Sequence, residues 1–256
     1  MKARYASARE RWPRIIGHRG AALSAPENTL AGFCMAAALN VAWVEFDVRL
    51  TRDGRCILLH DDTLDRTTDG SGRARDLDFD EIRRFDAGSW FGPDFAGQRV
   101  PSLEETIDLL AKLGLGAVAE LKPMAGAETA TGQAAAKLLK ERWPDHLPPP
   151  LVSSFKPAAL AAAREAAPEI KRALLVRALP RDWRRQLEAL DCAMLHADQR
   201  RLDRAAVEAV LAAESPLFAY TVNIAERAQE LFSWGVSAVF SDCPGRLAEG
   251  LDIHDI

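Results

Sequence analysis

Histidine, arginine and carboxylate side chains end several short apolar segments of this sequence. His18 and Arg19 follow the apolar segment RIIG, and His60 ends the segment CILLH. Glu45 and Asp47 lie two positions apart in VEFDV, so on a strand both side chains project from the same face. Burying such groups without partners is unfavourable. Their recurrence at the ends of apolar segments therefore predicts a functional site.

A third carboxylate belongs to the same pattern. Glu120 and Lys122 end the segment GAVAELK, again two positions apart. Together with Glu45 and Asp47, Glu120 makes three converging carboxylates, which repel one another unless a cation binds between them. A ligand set made only of oxygens favours a hard ion, Mg²⁺ or Ca²⁺, over zinc. The residues therefore predict a site for one divalent cation.

The charge of this predicted site indicates its substrate. Three carboxylates and one divalent cation leave a net charge of −1, and Arg19 with Lys122 changes it to +1. That charge complements a phosphodiester monoanion. His18 and His60, with ordinary pKa values of about 6.5, can supply a base and an acid near neutral pH. In-line phosphoryl displacement needs both, so we expect Arg19 to hold a phosphate oxygen and His18 to move a proton.

The elements that must position these residues follow from nine apolar, strand-like segments. Most are separated by sequence of helical character, which predicts parallel strands joined by crossover helices. Only the turn RDG separates the second segment from the third, too short for a crossover, so these two must form an antiparallel hairpin. The eight remaining strands predict an α/β fold of the TIM (β/α)8 barrel type, whose catalytic groups lie where strands end. A doubly wound open sheet is the alternative, but the sequence has no GxGxxG loop to support it. The nine segments are RIIGH, VAWVEFDVRL, CILLHD, GAVAELK, LVSSF, RALLV, AMLHA, LFAYTV and SAVFSD.

Two helices have boundaries that the sequence marks. In PSLEETIDLLAKLG, Ser102 and Glu105 have the spacing of a capping box, and Gly114 ends the apolar stripe. The segment NIAERAQELFSWG repeats this arrangement, with Asn223 as the predicted cap and Gly235 as the stop.

A long connection follows His60. It is rich in Gly and Asp and has little helical periodicity. A stretch of this length in a compact domain predicts a small insertion over the barrel mouth, at about residues 61–100. The whole chain, 1–256, is then expected to be one barrel domain with this insertion after the hairpin of the second strand.

Composition argues against several other classes of protein. The net charge is −4, and no long basic segment is interleaved with aromatic residues, which argues against a nucleic-acid partner. No apolar stretch is long enough to cross a bilayer, and the charged N-terminal segment MKARYASARERWPR lacks the apolar core of a signal peptide. The four cysteines form no CxxC pair and are interpreted as small buried side chains in a reducing compartment. We therefore expect a soluble cytoplasmic protein without a membrane partner. The cysteines are Cys34, Cys56, Cys192 and Cys243.

A series of short motifs then carries a family resemblance. They are HRG, PENTL, EFDV, DG, LLHDDTLDRTTDGSG, DAGSWF, VPSLEE, ELKP, LVSSF and YTVN. In this order they resemble the glycerophosphodiester phosphodiesterases, and the chain is most similar to the soluble bacterial type over residues from about 14 to 245. The resemblance implies a TIM barrel, a divalent cation, and hydrolysis of glycerophosphodiesters to glycerol 3-phosphate and an alcohol.

The same resemblance implies roles for individual residues. These are the metal ligands Glu45, Asp47 and Glu120, the catalytic histidines His18 and His60, and the phosphate-contacting residues Arg19 and Lys122. The family keeps Glu27 and Asn28 near the site, although these two residues can also be read as a turn and a helix cap. His196 ends a strand and either lines the alcohol side or is a core histidine. Tyr220, where some relatives carry Trp, either packs over the glycerol or fills the mouth.

Two other functions remain as alternatives. A phospholipase-type phosphodiesterase acting on lysophospholipid headgroups keeps the same barrel, but no docking surface or secretion signal is visible in the sequence. A non-enzymatic phosphodiester-binding protein needs neither acid nor base, and the presence of both histidines argues against it. The sequence leaves open the leaving alcohol, the choice between Mg²⁺ and Ca²⁺, and which histidine is the acid. Attack by water or by the glycerol 2-hydroxyl, and a monomer or a homodimer, also stay open.

Overall fold

The computed structural model describes residues 12–253. Residues 1–11 of the charged N-terminal segment, on which the signal-peptide prediction depends, lie outside the described residues. Within this range strands and helices alternate as the sequence predicts. The strands are β1 (Ile15–Gly17), β2 (Trp43–Leu50), β3 (Cys56–Leu58), β4 (Gly116–Leu121), β5 (Leu151–Ser154), β6 (Lys171–Val176), β7 (Met194–Asp198), β8 (Leu217–Tyr220) and β9 (Ala238–Ser241). The α-helices are α1 (Leu30–Ala38), α2 (Phe79–Ile82), α3 (Leu103–Leu113), α4 (Glu128–Arg142), α5 (Pro157–Ala166), α6 (Trp183–Leu190), α7 (Arg204–Leu211), α8 (Ala225–Trp234) and α9 (Pro244–Gly250).

Eight of these strands close into a parallel barrel, which confirms the predicted TIM fold. Their order around the barrel is β1, β2, β4, β5, β6, β7, β8 and β9, and β9 pairs again with β1. β3 is the extra strand, antiparallel to β2 with Val48 opposite Leu58, as the short turn RDG predicts. Parallel strands bring their carboxyl ends to one end of the barrel, where the predicted site residues lie.

Apolar side chains fill both sides of the barrel wall. Inside the barrel, a cluster that includes Ile16, Val118 and Phe218 is fully buried. Trp12 packs edge to face against Trp43 at 5.7 Å between ring centroids, next to this cluster. A larger cluster lies between the sheet and the surrounding helices. The interior is therefore a packed core, and the large cavity of the molecule lies where the strands end.

The connection between β3 and α3 has a small apolar cluster of its own. It contains α2 and the two 3-10 segments Ala74–Asp76 and Pro93–Phe95. Leu64, Phe79 and Ile82 are buried there against Ile57 of β3. None of its described residues from 61 to 100 lines the cavity presented below, so the insertion flanks the barrel mouth instead of covering it.

The two marked helices agree with the sequence at three of their four ends. Ser102 caps α3 in a capping box with Glu105, and Gly114 ends it with a left-handed φ of 73°. Gly235 ends α8 in the same way, but Ile224 holds the N-cap position there, so the prediction of an Asn223 cap is wrong. The Asn223 side chain is bonded to another segment of the chain, which is described below.

The cysteines divide between the core and the surface. All four are free, and Cys56, Cys192 and Cys243 are buried as predicted. Cys34 is exposed, because α1 buries Gly32, Phe33 and Ala36 and so turns Cys34 outward. In the part of the chain that the structure describes, no helix combines the length and the apolar character that a membrane crossing requires.

Candidate active site

Three buried carboxylates meet at the carboxyl ends of β2 and β4. Parallel register places Asp47 beside Glu120, with Glu45 one pleat earlier on the same face of β2. One carboxylate oxygen from each residue lies within 4.8 Å of the others. Their exposed fractions are 4% for Glu45, 0% for Asp47 and 8% for Glu120. The strand register therefore produces the carboxylate cluster that the sequence predicts.

The carboxylates differ in their affinity for protons. Burial, together with the charges of Asp47 and Glu120, raises the pKa of Glu45 well above its usual value. Burial and the charge of Asp47 raise the pKa of Glu120 to about 7. Although burial opposes it, Arg19 and Lys122 hold the pKa of Asp47 below its usual range. Without a cation, the cluster is an unfavourable concentration of negative charge.

The donor set fits a hard divalent cation. Glu45 Oε1 and Asp47 Oδ1 are buried oxygens without a hydrogen-bond partner among the described residues. Buried polar atoms in native proteins are normally satisfied, so two adjacent orphaned carboxylate oxygens indicate an absent ligand. Together with the oxygen of Glu120 they form an all-oxygen set suited to Mg²⁺ or Ca²⁺.

Two cations flank the carboxylates, as the sequence predicts. Arg19 Nε lies 3.4 Å from Asp47 Oδ2, and the Arg19 backbone N–H donates to Glu45 Oε2 at 3.1 Å. Lys122 Nζ lies 3.3 Å from Glu120 Oε1 and 3.7 Å from Asp47 Oδ1. Both side chains line the cavity, where they can contact an anionic group.

His18 is held by a carboxylate that the sequence reasoning did not assign. Its Nδ1 lies 2.6 Å from Asp242 Oδ1, and its Nε2 lies 3.8 Å from Glu45 Oε2. Although burial opposes it, the hydrogen bond with His18 lowers the pKa of Asp242, which is therefore an anion and an acceptor. Nδ1 consequently carries the hydrogen, and Nε2 of a neutral His18 is free to accept a proton.

Asn223 explains why Asp242 has a fixed orientation. The Asn223 amide donates from Nδ2 to Asp242 Oδ2 at 2.8 Å, and its Oδ1 accepts the Asp242 backbone N–H at 2.9 Å. The Ser241 hydroxyl also donates to Asn223 Oδ1, at 3.1 Å. This second use of its side chain is the physical reason that Asn223 does not cap α8. The acid that ends SAVFSD was the signal for Asp242, because it follows a strand as the other site residues do.

His60 repeats the arrangement of His18. Its Nδ1 lies 2.6 Å from Oδ1 of Asp61. Although burial opposes it, Arg66 and His60 lower the pKa of Asp61 to about 2, so Asp61 accepts the hydrogen of Nδ1. Burial lowers the pKa of His60 and favours its neutral form. Each predicted catalytic histidine thus has one nitrogen fixed by a carboxylate and the other available for proton transfer.

Two further residues fix the site: Asn28, which the family resemblance keeps near it, and Arg49, which was missed from the sequence. Asn28 donates from Nδ2 to Asp47 Oδ2 at 2.8 Å and accepts the Asp47 backbone N–H at 3.1 Å, while Thr29 is the actual cap of α1. The buried Arg49 donates to the carbonyls of His60 at 2.5 Å and Lys122 at 3.0 Å. These contacts tie the ends of β2, β3 and β4 together.

Glu27 reaches the site through Arg19. It accepts from Arg19 Nη1 at 2.7 Å and from both terminal nitrogens of Arg66 at 2.7 and 2.8 Å. Although burial opposes it, these hydrogen bonds lower the pKa of Glu27. Arg66 also donates to Asp61, so the network links the insertion to the partner of His60. Glu27 does not itself line the cavity, and its contacts orient Arg19.

The site opens into a cavity of about 830 Å³ at the barrel mouth. Tyr220 lies on its wall and donates its hydroxyl to the Val176 carbonyl at 2.8 Å. His196 lies at its base, fully buried and stacked on Phe218 at 5.0 Å between ring centroids. Burial lowers the pKa of His196 to about 3, so this histidine is neutral and its position agrees with a core residue.

The sequence of this chain is similar to those of several known proteins. A sequence model described as the glycerophosphoryl diester phosphodiesterase family matches residues 18–246. YhdW of Bacillus subtilis is 34% identical over 237 residues, which cover 90% of this chain and 94% of that protein. A glycerophosphodiester phosphodiesterase of Caldanaerobacter subterraneus is 32% identical over 235 residues, or 91% and 95% of the two chains.

A solved structure extends the likeness to three dimensions. A phosphodiesterase of Oleispira antarctica, in complex with its product sn-glycerol 3-phosphate, superimposes with a TM-score of 0.91 at 41% sequence identity. The match covers 94% of this chain and 97% of the other.

Proposed function

Because the chain belongs to the glycerophosphoryl diester phosphodiesterase family, and is therefore a phosphoric diester hydrolase, we propose that it hydrolyses glycerophosphodiesters to glycerol 3-phosphate and an alcohol. The proposal includes one divalent cation, held by Glu45, Asp47 and Glu120, and proton transfer by His18 and His60. The observation that carries it is the pair of unsatisfied carboxylate oxygens beside two histidines, each fixed by its own carboxylate. The product held by the Oleispira antarctica phosphodiesterase supports glycerol 3-phosphate as the product here.

The charges of the site suit the transition state of phosphoryl transfer. A bound divalent cation supplies positive charge to the phosphate oxygens as negative charge develops on them. Arg19 and Lys122 line the same part of the cavity and hold the remaining phosphate oxygens. Glu27 keeps the Arg19 guanidinium in place through the hydrogen bond at 2.7 Å, so binding requires little reorganisation.

The two histidines divide the proton transfers. One accepts the proton of the attacking hydroxyl, and the other donates a proton to the leaving alcohol oxygen. Asp242 and Asp61 fix Nδ1 of His18 and His60 respectively, which leaves Nε2 of each ring for these steps. The negative charge of each aspartate also stabilises the imidazolium that forms when its histidine accepts a proton.

The test is a product assay with metal added back. Protein stripped of metal is incubated with glycerophosphocholine or glycerophosphoethanolamine in Mg²⁺, Ca²⁺ or EDTA, and glycerol 3-phosphate is measured. We expect product with a divalent cation and none in EDTA. Lysophosphatidylcholine in a parallel reaction, with release of choline and lysophosphatidic acid measured, tests the phospholipase-type alternative. Product from the lysophospholipid alone would contradict the proposed substrate class, and no product from any substrate would contradict hydrolysis by this site.

A further inference from the structure

The cavity has a second half that the proposed chemistry does not use. The proposed chemistry uses residues of β1–β4 or residues that directly follow these strands. They are the carboxylate cluster, the two histidines and the two flanking cations. The other half is lined from the ends of β5–β8. A glycerophosphodiester whose phosphate lies over the first half extends one of its two substituents over this second half.

Three cations line this second half. Lys156 follows β5, Arg177 follows β6, and Arg200 follows β7. Because β5, β6 and β7 are neighbours in the barrel, these side chains follow one another around the mouth. We call Lys156, Arg177 and Arg200 the basic rim.

The positive charge of the basic rim is largely uncompensated. Asp198 is the one carboxylate among the described residues that line this half, and Arg200 already binds it in a bidentate pair at 2.7 and 3.0 Å. Lys156 and Arg177 form no ion pair with any other described residue. The basic rim and Asp198 together therefore carry two net positive charges, in a protein whose total charge is −4.

The electrostatic field of the rim acts within the cavity. Burial, Asp198 and Glu120 raise the pKa of Tyr220, whereas Arg177 and Arg200 lower it, so both of these cations lie near the Tyr220 hydroxyl on the cavity wall. Concave surfaces of one charge sign concentrate ligands of the opposite sign. Glycerol is uncharged, so an anionic group in this half must come from the alcohol.

We propose, on the basis of the proposed function, that the basic rim binds a negatively charged group of the leaving alcohol. The preferred substrates are then glycerophosphodiesters whose alcohol carries a phosphate or a carboxylate. An alcohol with a quaternary ammonium, such as choline, is repelled by Lys156 and Arg177. The charge of the alcohol is then the property that this half of the cavity selects.

The test compares two substrates that differ by one phosphate on the alcohol. Glycerophosphoinositol and glycerophosphoinositol 4-phosphate are each hydrolysed by wild-type protein, and kcat/KM is taken from glycerol 3-phosphate release. We expect the 4-phosphate to be preferred by about three- to tenfold, the effect of one or two exposed ion pairs. The preference is expected to decrease as NaCl is raised from about 0.05 to 0.5 M, because salt screens exposed charges.

A matched pair of double variants identifies the residues responsible. Lys156→Ala with Arg177→Ala is expected to bring the two substrates to nearly equal kcat/KM. Arg84→Ala with Lys112→Ala removes the same charges from exposed positions away from the cavity, and the preference is expected to persist.

The outcomes separate the two proposals. Hydrolysis of glycerophosphoinositol without a preference for the 4-phosphate overturns this inference and leaves the proposed function intact. A preference that survives in the Lys156 and Arg177 variant also overturns it. Failure of the wild-type protein to release glycerol 3-phosphate from either inositol ester overturns this inference, and it overturns the proposed function as well only if glycerophosphocholine and glycerophosphoethanolamine also give no product.

Discussion

In each of the two histidines of the site, a nearby aspartate determines which ring nitrogen carries the hydrogen. Asp242 and Asp61 each accept from Nδ1 at 2.6 Å, so the two rings present the same nitrogen for chemistry. Asp242 is itself held at its second oxygen by Asn223. The orientation of His18 is therefore set by a short chain of hydrogen bonds that ends on the backbone of Asp242.

Replacing Asp242 tests this support. Asp242→Asn removes the negative charge that fixes Nδ1–H of His18 and stabilises its imidazolium form. We expect kcat to fall by about 10- to 100-fold, by analogy with the carboxylates that orient metal-binding histidines. KM is expected to change little, since Asp242 does not line the cavity.

The control for this change is Asp145→Asn, at an exposed position away from the site. It removes the same charge and is expected to leave kcat unchanged. An Asp242→Asn variant with the kcat of the wild type would contradict the role of Asp242 in orienting His18.

At this scale, the sequence could predict the residues that end strands but not the residues that hold them. Glu45 and Asp47 follow from the alternation of a single strand. Asp242 is separated from His18 by 224 positions, and Asn28 from Asp47 by 19. Such partners depend on which strand ends meet, which requires the closed barrel and not the local pattern.

At the scale of the elements, a single aspartate holds one loop of the insertion together. The Asp86 side chain accepts the backbone N–H groups of Gly88 at 2.7 Å, Ser89 at 2.8 Å and Gly97 at 2.6 Å. These hydrogen bonds lower the pKa of Asp86 well below its usual value. The carboxylate thus joins the two ends of the loop that contains DAGSWFG.

A pH series of thermal unfolding tests this contribution. Because the pKa of Asp86 is lower in the folded protein, its stabilising effect is complete above the unfolded pKa of about 3.9. The effect is lost as the pH falls further. Asp86→Asn is therefore expected to lower the Tm at pH 7, and its difference from the wild type is expected to shrink below pH ~4.

The control for this series is Asp94→Asn, at an exposed aspartate of the insertion. Its Tm is expected to follow that of the wild type at every pH. A deficit in Asp86→Asn that stays constant from neutral to acidic pH would mean that the charge of Asp86 is not the stabilising feature.

Helix ends that depend only on neighbouring residues of the chain were predictable. A helix end was not predictable where its capping residue has hydrogen-bond partners in a distant segment. The capping box of Ser102 and Glu105 needs only neighbours in the chain, and it forms as predicted. Asn223 has a residue type suited to capping, but Asp242 and Ser241 offer it hydrogen bonds from another strand. The tertiary contacts decide the outcome in that case, and α8 begins at Ala225.

Across the whole molecule, barrel closure concentrates negative charge that the fold alone does not neutralise. Glu45 and Glu120 both have raised pKa values because they are buried beside Asp47. A ligand that binds only the folded state stabilises it. Cation binding is therefore expected to contribute to the stability of the entire barrel.

Thermal unfolding with and without metal measures this contribution. At a Mg²⁺ or Ca²⁺ concentration about 100 times its Kd, the folded state gains ~2.7 kcal/mol, which corresponds to a Tm increase of about 5–10 °C in a protein of this size. Glu120→Gln is expected to lose most of this increase. It is also expected to unfold at a higher temperature than the wild type in EDTA, because one repelling carboxylate is gone.

Glu128→Gln, which changes a half-buried first-turn residue of α4 outside the carboxylate cluster, is the matched control and is expected to keep the metal-dependent increase. Equal Tm values for the wild type in metal and in EDTA would contradict a cation site in this cluster.

Apolar segments and short turns predict the number of strands and the hairpin. They also predict which half of the barrel mouth carries the carboxylates. The basic rim was not predictable. Lys156, Arg177 and Arg200 each follow a strand, but exposed cations are common after strands, and only the closed barrel shows that these three share a cavity.

The most direct test of the proposed function measures kcat of His18→Ala on glycerophosphocholine at saturating metal. We expect a decrease of about 10²- to 10⁴-fold, the usual contribution of a general acid or base. The metal-dependent increase in Tm is expected to persist, since the carboxylates that hold the cation are unchanged. A variant that retains both the increase in Tm and the kcat of the wild type would contradict proton transfer by His18.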